Sequence, residues 1–143
     1  MAKSFRPGVA RKLVNVMISA LLRAGIPLKS TYLLTVVGRR SGKQYTTPVT
    51  LVEHGSERWL VAPYGIVGWV RNARAAGHVA LTRGRRSQSA SIEELGPVES
   101  APILKQYLTK VTVVRPYFDV TPQSPLEAFV AEAPRHPVFR IVE

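Results

Sequence analysis

The chain has 143 residues, 45% hydrophobic and 20% charged, a globular composition that fits one domain spanning residues 1–143 and argues against disorder. Twenty Lys and Arg against nine Asp and Glu give a net charge of +11, so anions gather around the protein; nucleic acid, an anionic membrane and a polyanionic small molecule are all admitted. With no cysteine, disulfides, thiolate metal sites and a Cys nucleophile are excluded, and a reducing cytoplasm fits.

In chain order, the first apolar run is "LVNVMISALL", residues 13–22. It falls short of the roughly 20 apolar residues that a membrane span needs. It also lacks a small-x-small cleavage site, and Asn15 and Arg23 interrupt it. The pattern predicts an amphipathic helix over 5–25, packed on or beside the domain. Pro7 suits its first turn, Leu13, Val14, Met17, Ile18 and Leu21 share one face, and Gly25 and Pro27 end it. Its basic residues, Lys3, Arg6, Arg11, Lys12 and Arg23, leave peripheral contact with the inner face of the plasma membrane open.

From residue 31 the period shortens to that of strands in "TYLLTVV", "TTPVTLVE" and "RWLVA", separated by the turns "GRRSGK" and "EHGSE". Pro48 cannot donate to a ladder, which places its strand at an edge or a bulge. Residues 67–77, "VGWVRNARAAG", read as a short helix capped by Gly77. Strands resume in "HVALT" and "RSQSASI" around the basic turn "RGRR". "SAPILKQYLTK" predicts a helix with Ser100 as N-cap and Pro102 in its first turn, and "SPLEAFVAE" a second with a Ser124, Pro125, Glu127 capping box. "HPVFRIV" closes the chain as a strand. Six to seven short antiparallel strands with three to four peripheral helices make a small α+β, mainly β, barrel.

The loop "GRRSGK" puts Arg39, Arg40, Ser41 and Lys43 around Gly38 and Gly42, which points to an anionic ligand. It is not a P-loop, because three residues rather than four separate the glycines, Gln44 follows the lysine, and a strand rather than a helix comes next. The histidines, His54, His78 and His136, show no metal-ligand spacing and read as surface or loop residues, so no metal is expected. No GxSxG elbow marks a hydrolase. Basic patches near Tyr45, Tyr64 and Trp69 admit single-stranded nucleic acid. They match no recognition motif, and nucleic acid is set aside as a partner.

The order strand, "GRRSGKQYTTPVTLVE", "RWLVAPYG", "GWVRNARAAGHVALTRGRR" resembles the deazaflavin-dependent nitroreductase and quinone reductase family, split β-barrel enzymes that use coenzyme F-420 and are common in actinobacteria. The resemblance is continuous from about residue 30 to residue 90, and looser to residue 119. It implies that Arg39, Arg40, Ser41, Gly42 and Lys43 bind the phosphodiester and polyglutamate tail of the coenzyme, a role suited to guanidinium forks and close backbone approach. It implies that Thr47 and Pro48 line the coenzyme groove, that backbone at Ala62, Pro63 and Gly65 approaches the deazaflavin ring, and that Trp69 and Asn72 are the Trp and Asn of the family's W-x-x-N helix. For Trp69, core packing is the competing reading.

Two departures bear on tail affinity and substrate choice: Tyr45 stands where the family often has Arg, and Pro63 where it often has Ser or Thr. The implied chemistry is hydride transfer from reduced deazaflavin to a quinone, enone or nitroaromatic acceptor. Tyr117, near a family tyrosine on the substrate side, is expected beside the acceptor, with Arg115 close in sequence; Tyr64 is a further candidate, for which surface packing is the competing reading. Coenzyme F-420 is the expected cofactor, and FMN, used by a sister group with a similar barrel, is the lesser alternative. A non-catalytic lipid- or fatty-acid-binding relative is the competing function, and barrels of this kind occur as monomers and homodimers.

Overall fold

A computed structural model of the protein describes residues 30–143; the helix expected over 5–25 lies outside them. Six strands are present among the described residues: β1 (Thr31–Val37), β2 (Gln44–His54), β3 (Glu57–Val61), β4 (His78–Arg83), β5 (Arg86–Glu94) and β6 (Val138–Val142). Helix α1 (Gly68–Ala76) joins β3 to β4, while α2 (Pro97–Lys110) and α3 (Leu126–Glu132) lie between β5 and β6. Short 3-10 segments, Thr112–Tyr117 and Ala133–Arg135, follow α2 and α3.

The strands close into one antiparallel barrel in the order β1-β2-β3-β6-β5-β4. The hairpins β1–β2, β2–β3 and β4–β5 follow the chain as expected from the turns. The last strand then returns to fill the gap between β3 and β5, with Leu60 opposite Phe139 and Ile92 opposite Ile141.

Strand alternation is visible in β1, where Leu34 and Val36 are buried and Thr35 shares a 2.9 Å hydroxyl hydrogen bond with Thr46 across the ladder. In β3 and β6 consecutive residues are buried because both faces are covered. Leu60 and Phe139 join the barrel interior with Leu34, Leu51, Val79 and Leu81. Trp59, Val61 and Val138 belong to a second cluster with Leu104, Leu108, Val114 and Phe129 of the helical segment.

The register of β2 creates the opening in the barrel. Residues Gln44–Thr50 pair with β1, and pairing to β3 begins only at Leu51. Pro48, opposite Leu33, therefore lies where no described strand bonds the other edge of β2, and its missing N–H costs the ladder nothing.

Two helix starts differ from expectation. Helix α2 begins at Pro97 with Gly96 as N-cap, because proline at the first helical position competes successfully with the later Ser100 signal. The Ser100 N–H already donates to Gly96 O at 2.9 Å, and Pro102 falls inside the helix on its exposed side. The capping box before α3 does not form: Ser124 Oγ accepts the Thr121 N–H at 2.9 Å instead, and Pro125 is the N-cap.

Candidate functional site

The cationic hairpin between β1 and β2 is tied internally by Gly38 N–H to Lys43 O at 2.7 Å and Gly42 N–H to Gly38 O at 3.0 Å. Gly42 has φ 71°, a left-handed conformation open to glycine at little cost. At Gly38 a Cβ would come within 2.7 Å of the Tyr45 ring and 2.8 Å of Ser41 Oγ. Ser41 Oγ accepts the Lys43 N–H at 3.2 Å and lies 3.2 Å from the Tyr45 hydroxyl. Tyr45, one of the two departures from the family pattern, is thus part of the hairpin's frame.

Arg39, Arg40 and Lys43 are exposed, and the structure shows none of them in an ion pair with a carboxylate among the described residues. Arg39 is anchored differently: its backbone N–H and its Nη1 both donate to Asn72 Oδ1, at 3.1 and 2.8 Å. Asn72 is buried on α1, so one amide oxygen fixes the hairpin to the helix.

Beyond the hairpin, β2 runs along a cleft of about 240 Å³. One wall is the open edge of β2, Thr47 to Thr50, continued by Val61, Pro63, Tyr64, Val67 and Trp69. The other wall comes from the helical segment, through Tyr107, Val111 and Val114. Trp69 is half-buried, its ring tilted against Phe139 of the barrel interior with centroids 6.2 Å apart. It packs on the core and lines the cleft at once.

Of the residues expected at the site, the cleft gathers Thr47, Pro48, Pro63, Tyr64 and Trp69. Ala62 is buried, its N–H bonded to Pro137 O at 2.9 Å. Gly65 and Tyr117 line a neighbouring hollow of about 410 Å³, separated from the cleft by Tyr64, which borders both. Tyr117 packs edge-on against Tyr64 at 4.8 Å. Arg115 turns back to the end of α2, donating to Leu108 O and Thr109 O at 3.1 and 3.3 Å.

His54 and His78 are exposed as expected; His136 lies in the loop before β6 but is buried, which corrects its reading as a surface residue. Its Nδ1 donates to Pro63 O at 2.8 Å, its Nε2 lies 2.8 Å from Glu132 Oε2, and its ring stacks on Phe118 at 3.8 Å. Glu132 also accepts from Arg135 Nη2 at 2.9 Å and from the Asp119 N–H at 3.3 Å. This pair holds the carbonyl of Pro63 from behind the cleft. The signal available in sequence was the Glu132–His136 spacing of four between apolar Phe129 and Val138.

Tyr107 was also missed, because Leu104, Tyr107, Leu108 and Val111 read as one apolar helix stripe. Burial pushes its phenol far up from the usual tyrosine range, with Tyr64 nearby adding to the effect. Tyr64 is raised too, by burial first and by Tyr117 second. Both are neutral hydrogen-bonding groups at ordinary pH.

A six-stranded antiparallel barrel open along one strand edge, with a cationic hairpin leading into an apolar cleft, has the architecture of a split barrel. The F-420H(2)-dependent quinone reductase family model matches residues 10–124, and the chain belongs to that family.

Solved structures share the fold at low identity. One described as a domain-swapped dimer is 19% identical over 92% of this chain and 98% of its own, with a TM-score of 0.56. An F-420-H2 dependent reductase is 22% identical over 81% and 96%, with a TM-score of 0.53. An F-420 reductase is 12% identical over 85% and 90%, with a TM-score of 0.52. None of the curated proteins matches the chain.

Proposed function

We propose that the protein is a coenzyme F-420-dependent reductase acting on a quinone, enone or nitroaromatic acceptor, with the quinone favoured by the family to which the chain belongs. The observation that carries this reading is the continuity of the hairpin with the cleft. Three cations without carboxylate partners among the described residues sit at one end of β2, and the same strand, about 13 Å further on at 3.3 Å per residue, becomes the wall beside Trp69. The donor set fits an anionic tail joined to a flat ring.

In this reading Arg39, Arg40, Ser41, Gly42 and Lys43 hold the phosphodiester and glutamate tail, and Asn72 keeps Arg39 in position. Thr47, Pro48 and Trp69 flank the ring, while Ala62, Pro63 and Gly65 shape the turn below it. When bound, the reduced coenzyme supplies the hydride. The valines and Pro48 exclude water from the cleft, which strengthens each polar contact inside it. Tyr64 and Tyr117 form the rim through which an acceptor enters.

FMN offers one phosphate and no glutamate tail, so the hairpin fits it less well. The described neighbour that forms a domain-swapped dimer supports a homodimer, measurable by light scattering, and a cytoplasmic location belongs to the same reading. The test is steady-state oxidation of reduced F-420 with menadione or a nitroaromatic compound as acceptor, beside NADPH and reduced FMN as donors. Turnover confined to the deazaflavin supports the proposal; turnover with reduced FMN alone contradicts it.

A further inference from the structure

Of the polar side chains that line the cleft, Thr50 and Tyr107 are buried, and the Thr50 hydroxyl lies 3.4 Å from that of Thr31, which sets Tyr107 apart. The residue is 4% exposed, within the apolar cluster of the helical segment, yet it lines the cleft. Its hydroxyl makes no hydrogen bond to any described residue, and no fully sealed side-chain polar atom among those residues lacks a partner. The hydroxyl is therefore not fully sealed, and the residue that carries it lines the cleft. Val61, Val111 and Val114 line the same cleft with side chains that offer no hydrogen bond, and leaving a phenol unpaired in a largely apolar site costs the fold stability.

We propose that Tyr107 determines acceptor specificity by donating a hydrogen bond to a carbonyl or nitro oxygen of the molecule reduced in the cleft. This rests on the cleft being the reductase site. A deep donor among apolar residues fixes the orientation of a mostly apolar ligand. Because negative charge builds on that oxygen as hydride reaches the acceptor, the bond strengthens toward the transition state. The raised pKa of the phenol, caused first by burial and then by Tyr64, keeps the donor protonated, so its action needs no ionisation.

The experiment compares the full-length wild type with Tyr107→Phe. Equilibrium dialysis without coenzyme measures binding of menadione and of 2-methylnaphthalene, which lacks the two carbonyl oxygens. Turnover with reduced F-420, coenzyme affinity and thermal midpoint are measured alongside. For Tyr107→Phe the expected result is about tenfold weaker menadione binding with 2-methylnaphthalene binding unchanged. The value of kcat/KM should fall about 10- to 100-fold, while coenzyme affinity is retained and the midpoint is not lowered. A purely packing role would leave the preference for the oxygenated probe intact.

Val114→Phe, which narrows the cleft, separates the two levels of failure, its folding being checked by its thermal midpoint. If Val114→Phe blocks menadione while Tyr107→Phe keeps both affinity and preference, the cleft holds the acceptor and the proposal for Tyr107 is wrong. If Val114→Phe leaves menadione binding and turnover intact, the cleft reading falls and this proposal with it. A large drop in the midpoint of Tyr107→Phe would reveal a structural bond for the hydroxyl and likewise overturn it.

Discussion

The barrel interior and the helical cluster outside it are two cores of similar size held in different ways. The interior, with Leu34, Leu60, Val79 and Phe139, is enclosed by a hydrogen-bonded ladder running from β1 round to β4. The outer cluster, with Leu104, Leu108, Val114 and Phe129, rests on β3, β6 and Val52 chiefly through apolar contact. β3 and β6 serve both, presenting Leu60 and Phe139 to one and Val61 and Val138 to the other. The cleft lies at the seam, so one wall belongs to the ladder and the other to the helices. In the proposed reading the difference says where adjustment to an acceptor falls: the wall of Tyr107, Val111 and Val114 can shift without breaking a strand pair.

This contrast can be broken most forcefully at Phe129, which is fully buried in the outer cluster. Phe129→Ala should cost about 3–5 kcal/mol. Hydrogen exchange should show lost protection concentrated in α2 and α3, with β1, β4 and β5 affected only through the global stability. Equal loss of protection throughout would mean that the two cores melt as one.

A smaller effect sharpens the comparison on the ladder side. Asn72→Ala removes the acceptor shared by the Arg39 backbone N–H and guanidinium, and should destabilise the fold by about 1–3 kcal/mol. Coenzyme affinity should fall at the same time, because the hairpin is no longer held to α1. Unchanged affinity in a thermal and binding comparison would detach Asn72 from the site.

Much of the ladder side was legible in the sequence. Alternation in "TYLLTVV" and the glycine-bounded cations announced β1 and its hairpin, and Pro48 announced an unpaired edge. For Trp69 the sequence offered a place beside the groove and core packing as rivals, and the residue lines the cleft while packing on Phe139. The place of β6 between β3 and β5 was not legible, since it depends on pairing across some 80 residues of chain and on which apolar faces remain uncovered. The start of α2 was ambiguous because Pro97 and Ser100 both signal a helix N-terminus. His136 and Tyr107 were hidden for one reason: a polar side chain on an apolar stripe gives no local sign of whether its polar atom meets a partner, as in His136, or an open cleft, as in Tyr107.

The most direct test of the account is a fluorescence titration of the protein with coenzyme F-420, in low and raised salt, beside the variant in which Arg39, Arg40 and Lys43 are all replaced by alanine. Saturable binding weakened by salt, and reduced by about tenfold for each cation that grips the tail, with the largest loss for long glutamate tails, is the predicted result. Coenzyme affinity that is the same in the variant and indifferent to tail length would contradict the assignment of the hairpin and, with it, the proposed route from charge to cleft.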